Sequence, residues 1–210
     1  TPLFKVAEIN DWEITKDLKF SNWMEGETVR RADKVIAIST AIGTLIGNHH
    51  SVPKDKIVYS PLGIELPDKS QTIQDTKNNK NFNILFVGRL EKRKGIETLF
   101  RAIPKIIDRI PHAIFTIVGS DTDGSPSGGS YKKYLLENLN QQFHSIVFFE
   151  GFVSNNNLKN YYKNCDVFVA PSLYESFGLI YLEAMAWGKP VIGCNLGGIP
   201  EVIEEDVTGF

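Results

Sequence analysis

The feature that most constrains this chain is a rhythm in its second part. After Asn81, continuous apolar runs of four to six residues recur at Asn83–Val87, Ala113–Val118, Ile146–Glu150, Val167–Ala170 and Val191–Cys194. Runs without polar alternation are expected of strands buried on both faces. Segments with helical spacing fill the intervals at Ile96–Ile110, Tyr131–Gln142, Asn156–Asn164 and Leu179–Trp187. Strand and helix in alternation predict right-handed βαβ units around a parallel sheet, so the fold class is α/β, a Rossmann-like doubly wound domain. Ligands of such folds sit outside the carboxyl ends of the strands, and the loops there are where chemistry is to be sought. One of them, Ser120–Ser130, is rich in Gly, Ser and Asp and is expected to be mobile.

Upstream the pattern is thinner. Residues Asp11–Arg31 mix charge with apolar residues at weak helical spacing. Lys34–Ile38 and Lys56–Tyr59 read as strands and Thr40–His49 as the helix between them. Residues 1–66 thus form a partial second α/β unit, and the polar stretch 67–81 reads as a linker before the domain at 82–210. The first residue is Thr1, not Met, and Val207–Phe210 reads like a hairpin entering a strand that does not follow. Both ends are therefore expected to be cut from a longer protein.

Bulk properties exclude several classes. The 210 residues are 42% hydrophobic, enough for a proper core, and 23 basic against 25 acidic residues leave no nucleic-acid surface or polybasic anchor. Cys165 and Cys194 fall in apolar runs and are expected to be reduced and buried, which places the chain in the cytoplasm. No apolar run approaches the roughly 20 residues of a membrane helix, and no signal peptide opens the chain.

The loop after the first of the five strands reads Gly88-Arg89-Leu90-Glu91-Lys92-Arg93-Lys94-Gly95. Cations beside glycines at a helix start attract phosphate. Lys92 reads as a solvated cation, while Arg89 and Lys94 fit a solvated loop and an anion site equally well. The loop after the fourth strand leads through Glu175-Ser176-Phe177-Gly178 into the helix from Leu179, in which Glu183 is the one charge. A helix apolar nearly all round is expected to be buried. An unpaired buried carboxylate costs several kcal/mol, roughly, so Glu183 needs either a protein donor or a ligand diol such as a ribose. Glu175 stands beside the free amides of Phe177, Gly178 and Leu179, natural donors to a phosphate. A carboxylate near a diphosphate is repelled, so Glu175 needs sugar hydroxyls or a neighbouring cation.

The combination resembles a known family. Glu175 to Glu183 has the Glu-x7-Glu form of the retaining GT-B glycosyltransferases called family 4 or group 1. Val87-Gly88-Arg89-Leu90 with Lys94-Gly95 resembles their pyrophosphate loop, and Gly151-Phe152-Val153 their nucleobase loop. Asp166–Ser172, Gly188–Ile192 and Gly197–Glu201 match flanking segments in order. Pro61-Leu62-Gly63 departs from the Asn-Gly usual at the end of the family's acceptor domain. The resemblance implies that residues 82–210 are the C-terminal donor domain and residues 1–66 the remnant of the acceptor domain. It implies that Arg89 and Lys94 clamp the diphosphate and Glu183 takes the ribose hydroxyls. Glu175 would contact the transferred sugar, the segment Ser176-Phe177-Gly178-Leu179 phosphate or sugar, and Val153 the base. The donor would be a nucleoside-diphosphate sugar, UDP or GDP, with no cofactor and no metal. The acceptor would be a sugar, a glycolipid or a small molecule, with its residues and the catalytic histidine lying outside this chain. Any membrane contact would be peripheral and made by the absent half. An epimerase or hydrolase of the same fold, and a non-catalytic nucleotide-binding domain, stand as alternatives. His49, His50, His112 and His144 show no metal-ligand spacing, and Tyr161 and Tyr162 read as core.

Overall fold

The computed structural model describes residues 2–68 and 81–210, so most of the expected linker, residues 69–80, lies outside the described residues. Two helices open the chain, α1 (Leu3–Ile9) and α2 (Lys16–Arg31). The weak pattern at Asp11–Arg31 anticipated the second helix but not the first. Asp11 takes a left-handed φ of 53° between them, and the Thr15 hydroxyl caps α2 by accepting from the Leu18 amide at 3.2 Å. Next come β1 (Val35–Ala37), α3 (Thr40–His50) and β2 (Ile57–Tyr59), with the two strands parallel. This is the expected strand–helix–strand unit.

The second unit follows the predicted alternation: β3 (Phe82–Val87), α4 (Ile96–Arg109), β4 (Ala113–Val118), α5 (Tyr131–Glu137), β5 (Val147–Gly151), α6 (Asn155–Asn164), β6 (Val167–Ala170), α7 (Leu179–Ala186) and β7 (Val191–Gly193). The strands form one sheet in the order β5-β4-β3-β6-β7, every neighbouring pair parallel. Helices cover both faces, which is why the strands are continuously apolar. Along β3, Ile84 and Phe86 face one core with Leu99, Phe100 and Ile103 of α4 and Tyr131 of α5. Leu85 and Val87 face the other with Tyr162 of α6 and Tyr181 and Ala184 of α7. The chain runs outward from β3 to β5, then crosses back to β6 on the other side of β3. The topological switch point therefore lies between β3 and β6, and a crevice opens there at the carboxyl ends.

One local expectation fails. Helix α5 stops at Glu137 instead of reaching Gln142, and a 3₁₀ segment spans Gln141–Ile146. Two asparagines cause the break: Asn138 Nδ2 donates to the Tyr134 carbonyl and Asn140 Oδ1 accepts from the Gln142 amide, so side chains compete with the helix ladder. At the base of the Ser120–Ser130 loop Asp121 accepts from the Ser130 hydroxyl (2.6 Å) and from the Thr122 and Lys132 amides (2.9 Å each). At the final residues a tight turn brings Glu205 beside Gly209, with the Asp206 amide donating to the Gly209 carbonyl at 2.9 Å. Gly209 bridges Val191 in parallel, and Phe210 exchanges backbone bonds with Val191 and Gly193 at the sheet edge.

The cysteines also divide. Both are free, but only Cys165 is buried; Cys194 is partly exposed just past β7. Burial pushes the Cys165 thiol up to about 12. No helix among the described residues is long and apolar enough to cross a membrane.

The two units are joined by specific contacts. The Glu201 carboxylate accepts from the Thr40 and Ala41 amides at 2.8 Å each, satisfying the start of α3. The Ser39 hydroxyl donates to the Ser176 carbonyl at 2.5 Å.

Candidate functional site

The loops after β3 and β6 meet across the switch point, and Gly95 allows the meeting. It has φ 66°, and a Cβ there would stand 1.7 Å from the Pro171 carbonyl oxygen. Behind the second loop, Gly197 and Gly198 lie flat on the backbone of Glu175 and Ser176, and the Gly198 amide donates to the Glu175 carbonyl at 2.8 Å. Residues 174–178 are thus held from both sides.

Into this junction the first loop sends its cations. The Lys94 ammonium donates to Glu175 Oε1 at 2.6 Å, and the Ser172 hydroxyl reaches the same oxygen at 2.9 Å. Arg93 Nη1 donates to the Tyr174 carbonyl at 3.0 Å and approaches Glu175 Oε2 at 3.4 Å, while Nη2 donates to Glu91 Oε1 at 2.8 Å. Glu175 is only 8% exposed. Its partner is therefore the neighbouring cation that the sequence left as one of two options. Lys94 still has two N–H groups beyond the one given to Glu175. Arg89 differs: its side chain is 60% exposed and makes one long contact, 3.3 Å to Glu91. It is the guanidinium of this loop that stands open to solvent and ligand.

Helix α7 begins at the same junction. Gly178 precedes it with φ 100°, and the amides of Phe177, Gly178 and Leu179 stand at its start, where helix geometry provides no carbonyl for them. Ser176 and Phe177 are buried beside them. Only Tyr181 and Ala184 of α7 are fully buried, so the helix is not enclosed as its composition suggested. Its other side is the wall of a cleft of about 420 Å³ that Glu183 lines together with Gly63, Glu65, Asn155 and Leu179. Glu183 Oε2 accepts from the Tyr162 hydroxyl at 2.7 Å. Burial, followed by the charge of Glu183, raises the Tyr162 hydroxyl far above the usual phenol range, so it stays a donor. Tyr162 is core, as read, but its tip orients Glu183. The departure at Pro61-Leu62-Gly63 leads straight to Gly63 in this cleft.

Val153 is partly buried against the core beside α6 and α7. The group its loop shows to solvent is Phe152, 80% exposed. On the other side of the crevice a larger cleft, about 670 Å³, is lined by Arg89 and Lys92, by the loop after β4, and by Trp12 from the first unit. The Lys92 ammonium is taken by the Asp11 carboxylate, so it is a tie between units as well as a surface cation.

Four contributors escaped the sequence reading: Arg93, Glu91, Ser172 and Glu201. Arg93 was visible only as one of a run of cations. The requirement that a buried Glu175 find donors was the signal for it, but the partner lies 82 residues away in the sequence and only the fold brings the two together. Among the described residues no group of three or more His, Cys, Asp or Glu gathers as a metal site.

A family model for glycosyl transferases group 1 matches residues 68–210. An uncharacterised glycosyltransferase of Methanocaldococcus jannaschii is 37% identical over 208 residues, 92% of this chain and 50% of its own length. Among solved structures, the Anabaena protein HepE in complex with UDP and glucose has a TM-score of 0.72 at 25% identity, covering 91% of this chain and 52% of that one. A sucrose-phosphate synthase from Thermosynechococcus elongatus has a TM-score of 0.74 at 27% identity over 100% of this chain and 52% of that one. The chain thus spans about half the length of these relatives. With its parallel sheet, its switch-point crevice and its paired acids, it belongs to the group 1 glycosyl transferases.

Proposed function

We propose that this chain carries the donor-binding half of a retaining glycosyltransferase, which moves a sugar from a nucleoside diphosphate to an acceptor hydroxyl. The observation that supports this best is the sequence of groups along the crevice. A carboxylate oriented by a tyrosine (Glu183) opens on one cleft. An exposed guanidinium (Arg89) stands at the other. Between them lie the Lys94–Glu175 pair and the amides at the start of α7. In this reading Glu183 takes the ribose diol and the 151–153 loop borders the base. Arg89, Lys94 and the amides of Phe177, Gly178 and Leu179 hold the diphosphate. Glu175, fixed by Lys94 and Ser172, faces the transferred sugar.

The reaction breaks the bond from the anomeric carbon to the diphosphate and makes one to the acceptor oxygen on the same face. Negative charge grows on the departing diphosphate, and fixed cations and helix amides that meet it supply the main rate enhancement. UDP is the first donor nucleotide to test, because the Anabaena relative holds UDP; GDP is the second. The catalytic histidine of the family is assigned to the other half, so this chain by itself binds donor without turning it over.

Calorimetry with UDP, GDP and ADP tests the reading. Arg89→Ala and Glu183→Ala each weaken binding of the preferred nucleotide, and Lys92→Ala does not. A folded sample that binds none of the three sinks the assignment. Equal losses in all three variants reduce it to a general charge effect.

A further inference from the structure

The carbonyl of Ser176 lies inside the site segment and is met from two directions. Ser39, just before α3 in the first unit, donates its hydroxyl to it at 2.5 Å. The Gly198 backbone covers it from another side, where a Cβ would stand 2.5 Å from the same oxygen. Both serines are buried, Ser39 at 4% exposed and Ser176 at 8%. The surroundings of Ser39 are fixed as well. Its Oγ accepts from the Ile42 amide at 3.1 Å, and the Glu201 carboxylate holds the next two amides, Thr40 and Ala41, at 2.8 Å each. Glu201 follows Gly197 and Gly198 in one short stretch, and the Gly198 amide donates to the Glu175 carbonyl at 2.8 Å. The start of α3, the 197–201 stretch and the site segment therefore close into one ring of contacts.

The peptide between Ser176 and Phe177 carries this arrangement to the ligand side. A trans peptide is planar, and its C=O and N–H point in opposite directions. No peptide among the described residues is cis. With its carbonyl on Ser39, this peptide sends the Phe177 N–H the other way, away from the Ser39 hydroxyl. That N–H is the first of the three amides at the start of α7. Nothing in α7 sets its direction, because Phe177 precedes the helix and the chain turns at Gly178, with φ 100°. An amide stabilises an anion best when its direction is set before the charge arrives. A buried carbonyl deprived of its donor is destabilised, and the peptide rotates toward water or another N–H. Loss of the Ser39 hydroxyl would therefore turn the Phe177 amide out of its line.

We infer that Ser39 is a positioning residue of the donor site: acting through the Ser176 carbonyl, it aims the Phe177 amide at the diphosphate. Glu201 supports it by fixing the start of α3. The inference rests on the donor reading above, which gives that amide to the diphosphate. It adds a residue of the first unit to a site otherwise built from residues 82–210.

Calorimetry with the preferred diphosphate, UDP or GDP, and saturation-transfer NMR with its nucleoside test this on the 210-residue chain. Ser39→Ala weakens diphosphate binding about tenfold, the loss of one hydrogen bond to a charged group. The nucleoside, which has no phosphate, binds wild type and Ser39→Ala alike. Ser39→Thr keeps the hydroxyl and restores the affinity to within about threefold of wild type. Thr15→Ala, which removes the corresponding cap of α2, leaves diphosphate binding unchanged. In amide NMR the Phe177 resonance moves when the diphosphate is added, and Ser39→Ala abolishes that movement. Ser39→Gly removes the same hydroxyl at little cost to the cap and is read in its place if Ser39→Ala does not fold. The inference is overturned by unchanged diphosphate affinity in the variant that folds, by equal losses of diphosphate and nucleoside, or by a Phe177 resonance that ignores the diphosphate in wild type. A chain that binds the diphosphate equally with and without the Ser39 hydroxyl loses only this inference. A chain that binds neither UDP nor GDP loses the donor assignment.

Discussion

Arg93→Met should cost about 3 kcal/mol of folding stability. The side chains of Arg93, Glu91 and Glu175 are 8%, 12% and 11% exposed, so the substitution removes a cation from between two desolvated carboxylates. Breaking a buried ion pair on one side costs about 3–5 kcal/mol, because the abandoned charge stays buried. Here each acid keeps another donor. Glu175 retains Lys94 at 2.6 Å and Ser172 at 2.9 Å, and Glu91 retains Arg89 at 3.3 Å. The lower end of the range therefore applies. Methionine fills most of the volume, so cavity formation adds little. Urea unfolding followed by circular dichroism reads the change. At a slope of about 2 kcal/mol/M the midpoint falls by about 1.5 M. Glu91→Gln in the Arg93→Met background should recover part of the loss, giving a coupling between the two sites of about 1–3 kcal/mol. Lys92→Ala, whose ion pair is solvent-exposed, should cost under about 1 kcal/mol. If Arg93→Met and Lys92→Ala shift the midpoint alike, the claim that this network is desolvated fails.

Other outcomes follow from single contacts. Tyr162→Phe removes the hydrogen bond that orients Glu183 and should weaken nucleotide binding about tenfold in calorimetry, with little loss of stability because water can reach the partly exposed carboxylate; unchanged affinity would separate Glu183 from the nucleotide. Gly95→Ala combines a left-handed φ with a Cβ 1.7 Å from the Pro171 oxygen and should destabilise by more than about 3 kcal/mol; a variant with wild-type melting would show that the two loops do not meet as described. Burial alone would raise the Asp121 carboxyl, but hydrogen bonds from Ser130, Lys132 and Thr122 outweigh it and hold the group below its ordinary value. Its contribution is therefore present above the unfolded pKa of about 3.9 and lost as pH falls through the folded value. Asp121→Asn should flatten the acid limb of a stability-versus-pH curve below about pH 4, and an acid limb identical to wild type would refute the assignment.

The layers of this protein are legible in different places. Local chemistry decided the strands: a run such as Phe115-Thr116-Ile117-Val118 has one residence, the middle of a sheet covered on both faces. It also decided that Glu183, alone on an apolar helix, needed a donor, and that Gly88–Gly95 gathers cations at a helix start. Sequence misjudged what depends on competition. The asparagines at 138 and 140 end α5 early because their side chains outbid the ladder, and α7, apolar almost all round, turned out to be half open because a cleft lies along it. What only the tertiary structure decided is pairing. Arg93 rather than a solvent molecule sits against Glu175, Tyr162 answers Glu183, Glu201 caps a helix 160 residues earlier in the chain, and Trp12 arrives beside Arg89. Burial makes a partner obligatory, and a sequence can state that demand. Which residue meets it depends on where the chain crosses back between β3 and β6, and that is a property of the whole sheet.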